Sequence, residues 1–184
     1  STFSEIILLD AVIETAITKE ERIMLLDEKI KRSVMNFMNI HSRFLFEQNF
    51  YEERKTGYVS ADRLNEIMQD AISVGYKDSL NNVSAYTWLW TPHFYMTNAP
   101  FYNFPYTFGY LLALSLFAKA KEMGADFENA YIQLLRDSGK MTMEELVLKH
   151  LNEDITQEAF WEKGIMHSVR DVELFIELTA LETN

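Results

Sequence analysis

A chain of 184 residues with 48% hydrophobic side chains carries enough apolar material for an ordinary buried core, which excludes disorder. A net charge of −11 repels phosphate backbones and anionic lipid, so no nucleic acid and no membrane partner is expected. The lack of cysteine excludes disulfides, thiol catalysis and Cys-ligated zinc, and it agrees with a reducing, cytoplasmic setting.

Only 3 Pro and 6 Gly interrupt long runs of Leu, Glu, Ala, Met and Lys, so the expected fold class is all-α, a helical bundle. No repeat, linker or low-complexity segment divides it, which predicts a single all-α domain over residues 1–184. The first helix is read from Thr2 to Ile17, with Ile6, Leu9, Ile13, Ala16 and Ile17 on one side. Thr2 and Glu5 fit a capping box at a true helix start; the other reading is that the chain begins inside a longer element. Asp10 and Glu14 interrupt the first apolar stretch, and no basic leader precedes it, so no signal peptide is read.

Thr18 is the expected N-cap of a long helix from Lys19 to Glu53, ended by Lys55-Thr56-Gly57. A third helix is read from Ser60 to about Val74. From Ser79 to Ala118 the chain then carries no Asp, Glu, Lys or Arg, and it holds the densest run of aromatics. A helix is expected to start at Pro100, with Pro105 in its first or second turn, and to run to about Met123 before Gly124. Asp126–Leu135, a capped helix from Thr142 to His150, Thr156–Gly164 and a last stretch to about Leu181 complete the prediction.

So long an uncharged tract is expected to be mostly buried, since otherwise it would expose a large apolar patch. Its polar tips must then face one another, the backbone or a polar cleft. On a continuous helix, Tyr102, Tyr106, Gly109 and Ala113 fall at i, i+4, i+7 and i+11, two phenols above two small residues. One reading makes these aromatics core and His93 a structural histidine. The other makes His93, Tyr102 and Tyr106 neutral hydrogen-bond donors aimed at a developing negative charge. Residue types alone leave both open.

Five segments, in order, bear on the choice. They are Ser1-Thr2-Phe3-Ser4-Glu5; Arg43-Phe44-Leu45-Phe46-Glu47; Thr91-Pro92-His93-Phe94-Tyr95 with Pro100-Phe101-Tyr102-Asn103-Phe104-Pro105-Tyr106; Gly124-Ala125-Asp126-Phe127 through Tyr131 to Leu134-Leu135; and Asp154-Ile155 to Phe160-Trp161. Together they resemble the C-terminal part of the oligoendopeptidase F family, among the thimet-type zinc oligopeptidases.

The resemblance implies a zinc metalloendopeptidase acting on short peptides. Its zinc is held by two histidines of a His-Glu-x-x-His helix and a Glu of the next helix, and the motif Glu activates water. His41, His93, His150 and His167 are followed by Ser, Phe, Leu and Ser, so the motif is absent here. The resemblance therefore puts the zinc ligands and the base upstream of Ser1, with no metal ligand in this chain. Alone the chain is expected to be inactive, and its partner is the upstream part of the same protein. His93, Tyr102 and Tyr106 match substrate-binding and oxyanion-stabilising side chains; between Tyr102 and Tyr106 the leading role stays open. Tyr95 and Gly109 match the substrate cleft, and Glu5 matches a group that orients a ligand histidine, its plainer reading being a solvated first-turn Glu. His41 is read as structural, and His150 and His167 as showing no ligand-like pairing. The rival from another class is a non-catalytic all-α module whose aromatic cavity binds a ligand or a partner helix.

Overall fold

In the computed structural model, which describes residues 2–180, every regular element is helical and no strand occurs among the described residues. The helices are α1 (Thr2–Thr15), α2 (Lys19–Val34), a π-helical turn (Met35–Asn39), α3 (Ile40–Arg54), α4 (Ala61–Tyr76), α5 (Thr87–Trp90), a 3₁₀ turn (Pro92–Tyr95), α6 (Phe104–Met123), α7 (Asp126–Asp137), α8 (Met143–Leu151) and α9 (Glu158–Thr179). Ser1 and the expected helix end near Leu181 lie outside the described residues.

The caps act where the sequence puts them. Glu21 N–H donates to Thr18 Oγ1 at the start of α2, and Arg63 N–H donates to Ser60 Oγ at the start of α4. Thr142 and Glu145 close a reciprocal capping box on α8. Gly124 ends α6 at φ +59°, a left-handed position that favours glycine. Two expectations need correction. The last two predicted segments are one helix, α9, that runs straight through Gly164. A Cβ at Gly164 would lie 2.8 Å from the Ser115 backbone nitrogen, so this glycine lets α9 lie close against α6 and does not break it. The helix expected from Pro100 begins only at Phe104. Pro105 has no N–H to bond the Phe101 carbonyl, and its ring would clash there, so a helix cannot pass from Pro100 through Pro105 undisturbed.

The chain divides into two compact units, residues 1–30 with 109–184 and residues 31–108. Both points of division fall inside helical segments, which is why no linker marks them in the sequence.

In the first unit, Leu26, Leu114 and Val147 are fully enclosed, and the Phe3 ring packs 4.7 Å from Tyr131 and 5.7 Å from Phe127. Buried among these helices is Lys29, whose Nζ lies 2.9 Å from Asp10 Oδ1, 3.0 Å from Asp171 Oδ1 and 3.0 Å from His167 Nε2. Two carboxylates accept from the ammonium, and His167 Nε2 lies against both Lys29 and Asp10, so the buried positive charge is met by opposite charge on either side. Burial pushes the Asp10 carboxyl up, but hydrogen bonds with His167, Lys121 and Lys29 outweigh it and hold Asp10 well below the usual carboxylate range.

In the second unit, α3 packs on α4 around Phe46, Ile67, Met68, Ala71 and Ile72. A Cβ at Gly75 of α4 would lie 2.9 Å from the Met38 carbonyl in the π-helical turn and closer still to Ser42 Oγ. The Ser42 hydroxyl itself donates to that carbonyl at 2.8 Å, so neither neighbour is free to withdraw.

Two stability predictions follow from these packings. Because Asp10 has a depressed folded-state pKa, its stabilisation is present above its ordinary value of 3.8 and is lost as the pH falls below it. Urea unfolding from pH 6 to pH 2 should show stability falling steeply below about pH 4, and Asp10→Asn should flatten that slope; an unchanged slope would remove the role given to this cluster. Gly75→Ala should cost about 1–3 kcal/mol by overpacking against a main-chain carbonyl, and an unaltered urea midpoint would show that α4 has room to move.

Candidate functional site

The second unit gathers His93, Tyr102 and Tyr106 into one cluster. His93 Nε2 lies 3.2 Å from Tyr106 Oη. The Tyr102 ring stacks near His93 at 5.9 Å and stands edge-on to Tyr106 at 5.9 Å. Tyr102 is 43% exposed and Tyr106 44%, so both phenols reach the surface. The uncharged tract is therefore not mostly buried as expected: Trp90 is 62% exposed, and Tyr86, Leu89, Tyr95 and Phe104 are exposed with it. The physical reason is that the tract folds as short pieces, a single turn of α-helix and a single 3₁₀ turn, which cannot bury both of their sides. The phenol hydroxyls of Tyr86 and Tyr95 make those two rings tolerable in water.

Each donor has its own support. His93 sits in the 3₁₀ turn that Pro92 begins. Phe94 anchors that turn by packing its ring 4.8 Å from Phe46 of the core. Tyr106 lies in the first turn of α6, where its N–H donates to the Asn103 carbonyl at 3.1 Å. Next to it, Thr107 Oγ1 donates to the Asn36 carbonyl at 2.6 Å. Asn36 belongs to the π-helical turn, so the widened turn in the long helix leaves a carbonyl for the start of α6.

Tyr102 does not lie on α6; the i, i+4 relation to Tyr106 expected from a continuous helix is replaced by a turn. Phe101 takes φ +58°, a left-handed conformation that costs a bulky residue about 1–3 kcal/mol. Its N–H donates to Glu47 Oε1 at 2.8 Å, and Asn103 Nδ2 donates to Glu47 Oε2 at 2.7 Å. Glu47 is 3% exposed and Asn103 fully buried. The Phe101 ring packs 5.6 Å from Phe44 and 5.2 Å from Tyr51, and the Tyr51 hydroxyl bonds Glu47. Burial, then the Glu47 charge, then that hydrogen bond push the Tyr51 phenol up.

Arg43 adds a half-buried positive charge. Burial pushes its guanidinium down, and the phenols of Tyr76 and Tyr106 act in the opposite direction. Its Nε is buried without a hydrogen-bond partner, and so is His93 Nδ1.

The remaining sequence candidates stand elsewhere. Tyr95 turns its hydroxyl to the carbonyls of Trp88 and Leu89, at 3.2 and 3.4 Å. Its ring lines an apolar pocket of about 110 Å³ with Phe46, Phe50, Leu64, Trp88 and Phe94. Gly109 belongs to the first unit, where a Cβ would meet open space and where it lines a groove of about 260 Å³ with Phe3, Leu112, Leu116 and Tyr131. Glu5 is exposed in the first turn of α1, also in the first unit, where an acid favours the helix N-terminus. His41 is exposed on α3. His150 and His167, read as showing no ligand-like pairing, each meet a charged neighbour: His150 Nε2 lies 3.0 Å from Asp137, and His167 joins the Lys29 cluster.

Sequence reading missed Glu47 and Asn103 as builders of the site. A buried carboxylate 54 and 56 residues from its partners leaves no local signal. The one hint was an acid amid Phe44, Phe46 and Phe50 on an otherwise apolar helical face.

The donor set does not fit zinc. His93, Tyr102 and Tyr106 offer no carboxylate and no second imidazole. Among the described residues, Asp10, His167 and Asp171 come close enough together to hold a metal ion, but the Lys29 ammonium already lies among them. What the cluster can do is present the uncharged phenol O–H groups of Tyr102 and Tyr106 to a polar group arriving at the surface, with His93 Nε2 against Tyr106 Oη. No helix among the described residues is long and apolar enough to cross a membrane. No family model matches the chain, and neither does any curated protein or solved structure.

The orphaned His93 Nδ1 makes the tautomer testable. Protonated, it would be a buried N–H without an acceptor, the more costly of the two orphans. His93 should therefore carry its proton on Nε2 and donate to Tyr106 Oη, which leaves the phenol proton free to point outward. Long-range ¹H–¹⁵N NMR at neutral pH should find the Nε2–H tautomer; finding Nδ1–H instead would mean that the Tyr106 proton is spent on His93.

Proposed function

We propose that the second unit supplies the peptide-binding, oxyanion-stabilising wall of a zinc-dependent oligoendopeptidase that acts on short peptides in the cytoplasm. The observation that carries the reading is the convergence of His93, Tyr102 and Tyr106 at an open surface, with the His93–Tyr106 contact at 3.2 Å. These are the residues that the resemblance to the oligoendopeptidase F family marks for this role.

The chemistry follows from the donors. Bound peptide offers backbone carbonyls, which accept from a phenol without any side chain being read, so the wall suits many sequences. As a carbonyl becomes tetrahedral its oxygen gains negative charge, and each O–H or N–H already in place gains strength. Neutral donors achieve this without a permanent cation that would also hold the product carboxylate.

In this reading the zinc ligands and the water-activating base are on a part of the protein upstream of Ser1. Helix α1 supports a further packing partner: Phe3, Ile6 and Ile13 face the core, while Ile7, Leu8 and Val12 are exposed on the same helix. Exposed apolar side chains grouped on one helix would be covered by such a partner. A second reading, a non-catalytic helical module, draws on the 110 Å³ aromatic pocket as a ligand site.

The 184-residue chain alone should bind no stoichiometric zinc and cleave no peptide, whereas a form extended on its amino-terminal side should do both. In the extended form Tyr106→Phe should lower kcat by roughly 100-fold, the scale of losing one oxyanion donor, with KM little changed. An extended form that binds no metal and cleaves nothing would end the peptidase reading and leave the binding module.

A further inference from the structure

The wall needs its donors held still, and the residue that does this is not one of the donors. We infer that Glu47 is the positioning residue for Tyr102, a role that rests on the peptidase reading only for its consequence and not for its geometry. The two carboxylate oxygens of Glu47 divide their work across Tyr102: Oε1 takes the Phe101 N–H on one side, and Oε2 takes the Asn103 side chain on the other. Tyr102 is thus pinned from both neighbours while its own ring stays 43% exposed and free to meet a ligand.

Three features separate this arrangement from ordinary core packing. The carboxylate is 3% exposed, and burying it beside Phe46 and Phe50 is unfavourable unless its lone pairs are filled. The Phe101 backbone is left-handed at φ +58°, a conformation kept only where the surroundings impose it, and its N–H bond to Glu47 imposes it. The Asn103 carbonyl accepts the Tyr106 N–H, so the residue held by Glu47 also opens the helix that carries the second phenol. From Glu47 two hydrogen bonds fix the residues on either side of Tyr102, and two more links, through Asn103, reach the backbone of Tyr106.

Glutamine is a conservative replacement here for a specific reason. Its carboxamide oxygen can still accept from Phe101, and its NH₂ can donate to Asn103 Oδ1, which now has no partner, once the Asn103 amide turns over. Alanine removes both bonds.

The test uses the 184-residue chain and needs no catalysis. Proton NOE contacts between the rings of Tyr102 and His93 are measured in wild type, Glu47→Ala and Glu47→Gln, with circular dichroism on each sample to verify helicity. Glu47→Ala should keep its helices and lose the Tyr102–His93 contacts, and Glu47→Gln should restore them. If Glu47→Ala unfolds the chain, Asn103→Ala, which leaves the Phe101 bond in place, should likewise loosen Tyr102. Contacts that persist in a folded Glu47→Ala chain, or in Asn103→Ala where that variant must be used, would overturn the inference. In the extended form Glu47→Ala should lower kcat while KM holds, and Glu47→Gln should recover most of it. Ring contacts that behave as expected in a protein that cleaves nothing would sink the peptidase reading alone. Contacts unaffected by Glu47→Ala in an active enzyme sensitive to Tyr106→Phe would sink the positioning role alone.

Discussion

A carboxylate buried in an aromatic neighbourhood must find hydrogen-bond donors, and in the second unit that requirement shapes everything around the candidate site. Glu47 on α3 lines a pocket with Phe46 and Phe50, and it draws a backbone N–H, a carboxamide and a phenol to itself. Phe101 meets that demand from a left-handed turn, just before α6 starts at Phe104. The rings of His93, Tyr102 and Tyr106 then lie within 6 Å of one another, by centroid, on an open surface. The same economy appears in the first unit, where Lys29 gathers Asp10, Asp171 and His167. Both units thus keep one buried charge by surrounding it with partners from distant parts of the chain, the condition under which a buried charge is tolerated at all.

The long helix adds a second constraint. Its π-helical turn at Met35–Asn39 widens the backbone just where α4 approaches through Gly75 and where Thr107 needs an acceptor. One irregular turn therefore serves two contacts, a close helix crossing on one side and the anchoring of α6 on the other. Such turns are costly in isolation and persist where neighbouring groups use the displaced carbonyls.

How much of this could be read from the sequence depended on distance along the chain. Features settled within a few residues were legible: Thr18, Ser60 and Thr142 cap the helices they precede, and Gly124 closes α6. The grouping of His93, Tyr102 and Tyr106 was legible only as a set of residue types in a family-like order, since their spacing implied a helix that does not exist at Tyr102. Features decided by remote partners were not legible. Gly164 reads as a helix stop until Ser115 is seen against it, and His167 shows no ligand-like pairing until α1 brings Asp10. Glu47 reads as one more helical acid until the turn 54 residues onward closes over it. The exposure of Trp90 and Tyr86 was also hidden, because absence of charge says that a segment can be buried and not that it is.

The central claim is that the two phenols of Tyr102 and Tyr106, the latter backed by His93, face a polar ligand in the second unit, and the most direct measurement is an NMR titration of the 184-residue chain with a peptide phosphinate, whose tetrahedral anion resembles the charge built up in peptide hydrolysis. The account predicts saturable shifts at His93 Nε2 and the rings of Tyr102 and Tyr106, abolished by Tyr106→Phe, with His167 in the first unit unmoved. Shifts confined to the aromatic pocket around Trp88, or no shifts at all, would contradict it.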